Sequence, residues 1–264
     1  MINVCDIQVM KPLLAEHGFH FSKAKGQNFL IASWVPASIA QESGVDEHTG
    51  VLEIGPGIGP LTQQLGLRAA KVCAVEVDTR LAPILDKTVG EFSNVEILWG
   101  DVLKQDIRAL VAEKFPGLRP MACANLPYYI TTPILSALLE ADCFDAVTVM
   151  VQKEVAQRIA AAPGTGDYGA FSVFCQYYTE PELLFDVPPS CFLPQPKVTS
   201  AVVTLRRRAE RRSGPASPCG GRSSPTAWPP ASRSWASRGL RMCCGCAASL
   251  KTSGARPWAF RNLR

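Results

Sequence analysis

The chain has 264 residues, of which 47% are hydrophobic and 19% are charged, and its formal net charge is +4. This length accommodates one sizeable domain and a smaller one, and the composition is typical of a globular protein. No apolar stretch approaches the roughly 18–20 uncharged residues of a membrane helix, and the N-terminus lacks the pattern of a secretion signal, so we expect a cytoplasmic protein without membrane segments.

From residue 51 onward, short apolar segments alternate with helical ones. The pattern predicts strands at residues 51–54, 71–77, 95–99, 121–124 and 146–151, and helices at residues 61–67 and 79–89. Strands separated by helices indicate βαβ units and a parallel sheet, so the predicted fold class is α/β. Ligands of such sheets bind at the carboxyl ends of the strands.

The first motif is the EIGPGIG sequence of residues 53–59, which follows a predicted strand and precedes a predicted helix. Glycines at Gly55 and Gly57 let the backbone approach a ligand closely. The motif is not a full dinucleotide fingerprint, because Thr62 stands where a further glycine is required. An ordinary tight turn between strand and helix is the alternative.

Two acidic residues end the next two predicted strands. Glu76 lies about twenty residues after the glycines, where a carboxylate accepts the ribose hydroxyls of an adenosine cofactor. Asp101 is placed to accept a hydrogen bond from an adenine amino group. The alternatives are a solvated acid for Glu76 and a cap of residues 102–104 for Asp101, and Asp78 is a candidate cap for the helix that follows it.

The most specific motif is Asn125-Leu126-Pro127-Tyr128, followed by Tyr129. Methylation of an exocyclic amine requires groups that accept the amine's hydrogens and aim its lone pair at the methyl donor. The Asn125 side-chain oxygen and a backbone carbonyl held rigid by Pro127 satisfy this requirement. Tyr128 offers a face on which an extruded base stacks. A proline turn with a core tyrosine is the alternative.

Residues 11–208 resemble the bacterial 16S rRNA adenine N6,N6-dimethyltransferase family, whose motifs occur in the same order along this chain. The matching blocks are GQNFL at residues 26–30, EIGPGIGPLT at 53–62, EVD at 76–78, GDV at 100–102, NLPYYITTPIL at 125–135, VQKEVAQRI at 151–159, YG at 168–169 and FLPQPKVTSAV at 192–202. The resemblance implies a Rossmann-like sheet that binds S-adenosyl-L-methionine and a small helical C-terminal domain.

The resemblance also implies the roles of individual residues. The implied cofactor site contains Asn28, Leu30, Gly55, Gly57, Glu76, Asp101, Val102 and Asn125. The target base is held by residues 125–128, and Phe192 with residues 194–197 flanks its entry. Lys23 and Lys25 are candidates for contacts with RNA phosphates, although a solvated surface position is an equal alternative.

The implied reaction transfers two methyl groups to each of two adjacent adenosines near the 3′ end of 16S rRNA. The implied partner is therefore the small ribosomal subunit, and we expect a monomer. Three other functions stay open: methylation of 23S rRNA, methylation of DNA, and a catalytically impaired role in RNA binding or ribosome assembly. We expect no metal site, because the three histidines have no cysteine partners at zinc spacing.

The last part of the chain departs from this family. Residues 1–208 carry 17 basic and 22 acidic residues, whereas residues 209–264 carry 10 basic residues and one acid. The later segment is rich in Arg, Ser, Pro, Gly and Ala, and it lacks helical periodicity. We therefore divide the chain into an N-terminal segment at 1–50, a methyltransferase domain at 51–208 and an atypical basic tail at 209–264. The tail is predicted to be disordered or to arise from a frameshift, and a genuine RNA-binding tail is the alternative.

Overall fold

The computed structural model describes residues 2–19 and 27–209. Lys23, Lys25 and nearly all of the predicted basic tail lie outside the described residues. Within the described part, a seven-stranded sheet has the order β4-β3-β2-β5-β6-β9-β7. Its strands are β2 (Thr49–Ile54), β3 (Lys71–Glu76), β4 (Val95–Trp99), β5 (Arg119–Asn125), β6 (Ala146–Gln152), β7 (Thr179–Val187) and β9 (Ser200–Arg207).

A separate two-stranded ladder joins the N-terminal segment to the later part of the chain. Strand β1 (Phe29–Leu30) pairs antiparallel with β8 (Phe192–Leu193), with Leu30 opposite Phe192. Both of these paired side chains are almost completely buried. The ladder therefore fixes residues 29–30 against the main domain, although they precede the first strand of the sheet.

Eight helices accompany the strands in the described part of the chain. They are α1 (Ile7–Glu16), α2 (Trp34–Glu42), α3 (Pro60–Gly66), α4 (Ala82–Val89), α5 (Ile107–Lys114), α6 (Thr131–Ala141), α7 (Lys153–Ala160) and α8 (Ala170–Tyr178). Helices cover both faces of the sheet. Alternate residues of a strand point to opposite faces, so neighbouring residues of β2 pack against different helices. Leu52 and Ile54 of β2 pack in a cluster with α5 and α6, whereas Val51 packs in a second cluster with α2 and α3.

The predicted α/β core is confirmed, since β2, β3, β4, β5 and β6 form parallel pairs throughout. All six residues of β2 are buried, which is expected of a parallel strand covered on both faces. The helix predicted at residues 79–89 begins instead as a 3-10 turn at Thr79–Leu81 and becomes α-helical at Ala82. Pro83 suits this start, because proline is tolerated in the first turn of a helix.

The sheet also contains two strands, β7 and β9, that the sequence analysis did not predict. Strand β9 runs antiparallel to β6 and to β7, so the last two strands of the sheet reverse direction. The apolar run of β9 was recognised only as part of a family motif, and the half-exposed pattern of β7 gives a weak strand signal. Among the described residues, no helix is both long and apolar enough to span a membrane.

Candidate functional site

A cavity of about 260 Å³ opens at the carboxyl ends of β2, β3 and β5. Most of the predicted site residues in the described part of the chain line it, whereas residues 194–197, which were predicted to flank the base entry, do not. The predicted residues that line the cavity are Asn28, Leu30, Gly55, Gly57, Glu76, Asp101, Val102, Asn125, Leu126, Pro127, Tyr128 and Phe192. The structure thus brings together residues that are up to 164 positions apart in the sequence. Lys23 and Lys25 are not among the residues that the structure describes.

The glycine loop after β2 forms one wall of the cavity. Gly55 and Gly57 adopt φ values of 69° and 60°, in the left-handed region that favours glycine. A Cβ added at Gly55 meets no atom within 4 Å, because the backbone there faces open space. A Cβ at Gly57 lies 3.3 Å from the ring of Phe29. The loop therefore presents bare backbone to any molecule in the cavity, as the sequence predicted.

Glu76 ends β3 at the cavity wall with its carboxylate oriented by the backbone. One oxygen, Oε1, accepts a hydrogen bond from the Asp78 amide at 2.8 Å, and Oε2 accepts one from the Gly57 amide at 3.2 Å. The side chain is buried, and desolvation raises the pKa of Glu76 above its ordinary value despite these bonds. The carboxylate is thus held rigidly, which suits a group that recognises two adjacent hydroxyls.

Asp101 is a cap that also lines the cavity, and its contact with an adenine amino group stays a prediction. Its Oδ1 accepts a hydrogen bond from the Leu103 amide at 3.0 Å and so caps the 3-10 turn Val102–Lys104. The same residue lines the cavity, next to the buried side chain of Val102. Capping fixes the orientation of a carboxylate, so it is compatible with a second oxygen that contacts a ligand.

The Asn125 corner follows β5 and is held by β6 on one side and by the start of α6 on the other. The Leu126 amide donates to the Met150 carbonyl at 3.1 Å. The Pro127 carbonyl accepts from the Ile130 amide and from the Thr131 hydroxyl, each at 3.1 Å. Among the described residues no backbone hydrogen bond reaches the Leu126 carbonyl. That carbonyl and the side-chain oxygen of Asn125 are thus two acceptors that the corner can offer to a ligand.

Aromatic side chains border the corner with different exposures. Tyr128 is partly buried, and its hydroxyl lies 2.6 Å from the Ser200 hydroxyl of β9. Burial raises the pKa of Tyr128. Tyr129 also lines the cavity but is 62% exposed. Phe192 is 1% exposed, so it forms an inner wall rather than an exposed rim, and its contact with a flipped base stays a prediction.

Glu53 is a site residue to which the sequence analysis assigned no role. It lies in β2, is 1% exposed and lines the cavity. Desolvation raises its pKa to about 8, and the nearby Glu76 adds to the shift. The nearby Thr62 hydroxyl acts in the opposite direction and lowers the pKa of Glu53. Within the described residues, neither the Thr62 hydroxyl nor Oε2 of Glu53 has a partner at hydrogen-bond geometry. The signal available in the sequence was an acid within the otherwise apolar predicted strand of residues 51–54.

The sequence matches known proteins along most of its length. Residues 18–215 match the family model of ribosomal RNA adenine dimethylases. The chain is 50% identical over 196 residues to ribosomal RNA small subunit methyltransferase A of Alkaliphilus oremlandii, which covers 74% of this chain and 68% of that protein. The protein of the same name in Geobacillus thermodenitrificans is 50% identical over 201 residues, which covers 75% and 69%.

Solved structures agree with the sequence matches. The structure of the 23S rRNA methyltransferase ErmE superposes with a TM-score of 0.59 at 34% identity, over 71% of this chain and 73% of that one. A dimethyladenosine transferase from Plasmodium falciparum superposes with a TM-score of 0.60 at 28% identity, over 68% and 63%. These similarities show a Rossmann-like methyltransferase fold.

Proposed function

This chain belongs to the ribosomal RNA adenine dimethylase family, and we propose that it transfers methyl groups from S-adenosyl-L-methionine to 16S rRNA. The proposed products are N6,N6-dimethyladenosines at two adjacent positions near the 3′ end of that RNA. The observation that carries the proposal is that one cavity is lined by the glycine loop, by Glu76 at the end of β3, by Asp101 after β4, and by the Asn125 corner. The proposed location is the cytoplasm, where the small ribosomal subunit is assembled.

The residues of the cavity fit an adenosine cofactor with a cationic methyl donor. A Cβ at Gly55 would fill the space that faces the cavity, so glycine leaves room for the ligand there. Glu76 holds two oxygens in a fixed position for the ribose hydroxyls. Asp101 stands beside Val102, whose apolar side chain suits the face of an adenine ring. We assign Asn28 and Leu30, which also line the cavity, to the same cofactor site.

The Asn125 corner supplies orientation rather than acid–base catalysis. S-adenosyl-L-methionine supplies, when bound, a methyl group on a positively charged sulfur that is already a strong electrophile. The Asn125 side-chain oxygen and the Leu126 carbonyl accept the two hydrogens of the adenine amine, which directs the nitrogen lone pair at the methyl group. These two acceptors would hold the amine nitrogen in line with the bound methyl donor, and the proton lost from the amine on transfer would pass to water. Positioning of this kind supplies much of the rate.

The choice of 16S over 23S rRNA rests on the comparisons and on two motifs. Identity is 50% with the two small-subunit enzymes and 34% with the 23S enzyme. The NLPYYIT and FLPQPKVTSAV segments also favour the small-subunit group. Methylation assays on 30S particles and on naked 23S rRNA test the choice. Transfer to the 23S rRNA alone contradicts our proposal and supports the alternative substrate.

A catalytically impaired assembly or RNA-binding factor is the second candidate. The observation that favours it is that the alignments cover only 68–69% of the length of these relatives, so about a third of each relative has no counterpart in the alignment. The experiment is transfer of labelled methyl groups to 30S particles that lack the modification. Turnover supports the enzyme, whereas cofactor binding and 30S binding without transfer support the assembly factor.

A further inference from the structure

Asp78 is a buried carboxylate that bonds to the nearby Arg80 and to Gln27, in a distant part of the chain. It lies just after β3 and is 2% exposed. The Arg80 guanidinium donates to it twice, from Nε to Oδ1 at 2.8 Å and from Nη2 to Oδ2 at 2.6 Å. The Gln27 side chain, 51 residues earlier, donates from Nε2 to Oδ2 at 2.9 Å. A buried charge of this kind requires such partners.

Helix capping accounts for little of this arrangement. The capping bond from the Arg80 amide to Asp78 Oδ1 is 3.4 Å long, whereas the three side-chain bonds are 2.9 Å or shorter. The distances therefore indicate that the carboxylate is placed for Gln27 and the guanidinium rather than for the 3-10 turn.

The segment bearing Asn28 is fixed at both of its ends. On one side, Gln27 is bonded to Asp78. On the other side, β1 is paired with β8. Arg80 connects Asp78 to the same segment by a second route. Its guanidinium lies 5.1 Å from the centre of the Phe19 ring, and that ring contacts the ring of Phe29. Asn28 stands between these attachments and lines the cavity.

We propose that Asp78 is a positioning residue that holds Gln27, and through it Asn28, against the cofactor cavity. The backbone amide of Asp78 also donates a hydrogen bond to the carboxylate of Glu76, which we assign to binding the ribose hydroxyls. One residue therefore links the ribose side of the cavity to the N-terminal wall. The inference rests on the proposed function, since it presumes that the cavity binds an adenosine cofactor.

Calorimetric binding of S-adenosylhomocysteine to the full chain tests the proposal. We expect Asp78→Asn and Gln27→Ala each to raise the dissociation constant about tenfold, since each removes a charge-assisted bond that orders the wall. In an Asn28→Ala background, the additional effect of Asp78→Asn is expected to fall below about twofold, because the residue that it positions is gone. A merely structural role predicts additive effects instead.

Asp46→Asn is the matched control. It breaks another Asp–Arg pair, in which Asp46 and Arg119 are 2.8 Å apart at the opposite end of the sheet, and it is expected to leave binding unchanged. Gln27→Ala keeps the test valid if Asp78→Asn fails to fold, because Gln27 is only partly buried.

The inference alone is overturned by wild-type affinity in the folded Asp78→Asn and Gln27→Ala variants, or by full additivity with Asn28→Ala. An absence of binding by the wild-type chain overturns the proposed function as well. A loss of cofactor affinity in the Asp46→Asn control, equal to that of Asp78→Asn, assigns the effect to general destabilisation and also overturns the inference.

Discussion

The hydroxyl groups of Tyr128 and Ser200 lie 2.6 Å apart, although 72 residues separate them in the sequence. Tyr128 belongs to the corner that follows β5, and Ser200 begins the antiparallel strand β9. The contact ties the proposed base-stacking ring to the part of the sheet that the sequence analysis did not predict. The antiparallel edge therefore helps to hold the proposed catalytic corner in place.

Ser200→Ala tests the importance of that contact. We expect the unfolding free energy to fall by about 1 kcal/mol, the net value of a typical hydrogen bond. We also expect the rate of methyl transfer to fall several-fold, because the Tyr128 ring loses a fixed position. Thr204→Val is the matched control. Thr204 lies on β9 like Ser200, and the substitution removes its buried hydroxyl contact with Thr148 of β6, away from the cavity. Equal losses of activity in both variants contradict the assignment.

Asn125→Ala removes the proposed side-chain acceptor for the adenine amine. We expect the transfer rate to fall by at least about 100-fold, as for the loss of one preorganised hydrogen-bonding group in an active site. Cofactor binding is expected to remain mostly intact, since the other cavity walls are unchanged. Single-turnover transfer and calorimetry measure the two quantities, and unchanged turnover overturns the catalytic assignment of Asn125.

Tyr129→Ala tests whether the exposed ring at the cavity contacts RNA. Stacking of a base on an aromatic side chain contributes about 1–3 kcal/mol, so we expect the KM for RNA to rise about tenfold or more. Stability is expected to change little because the side chain is 62% exposed. Leu183→Ala removes another exposed apolar side chain, on β7, and serves as the control. An unchanged KM for RNA argues against stacking on Tyr129.

Glu53 predicts a pH dependence of stability with a definite sign. Its pKa is raised from 4.5 to about 8, so between these values the folded chain holds a proton that the unfolded chain releases. The unfolding free energy therefore falls as the pH rises through this window, by up to about 1.4 kcal/mol per pH unit. Glu76 contributes with the same sign, since its pKa is also raised.

Glu53→Gln removes the Glu53 part of this dependence. We expect the variant to be more stable than the wild type near pH 8 and to approach or fall below it near pH 4.5. Urea unfolding of the two proteins across this range measures the difference. A stability difference that does not change with pH shows that Glu53 is ionised in the folded chain and contradicts the assignment.

Most of the cavity could be predicted from the sequence, because parallel strands place their carboxyl ends at one edge. Gly55, Glu76, Asp101 and Asn125 each follow a strand with a clear apolar pattern, so their convergence follows from the fold class. The Tyr128–Ser200 contact could not be predicted in this way, since it depends on the position of β9 between β6 and β7 in the sheet.

Other features depend on long-range contacts that leave no local pattern. The β1–β8 ladder contains two residues per strand, too few for a periodic signal. The bond between Gln27 and Asp78 joins a segment before the sheet to a turn within it. The raised pKa of Glu53 follows from complete burial, which the sequence letters EIG do not reveal.

The most direct test of the account is transfer of labelled methyl groups from S-adenosyl-L-methionine to 30S particles that lack the modification, followed by mass spectrometry of the 16S rRNA. The account predicts N6,N6-dimethyladenosine at two adjacent positions near the 3′ end, with transfer lost in Asn125→Ala. Binding of the cofactor and of the particle without formation of dimethyladenosine contradicts it.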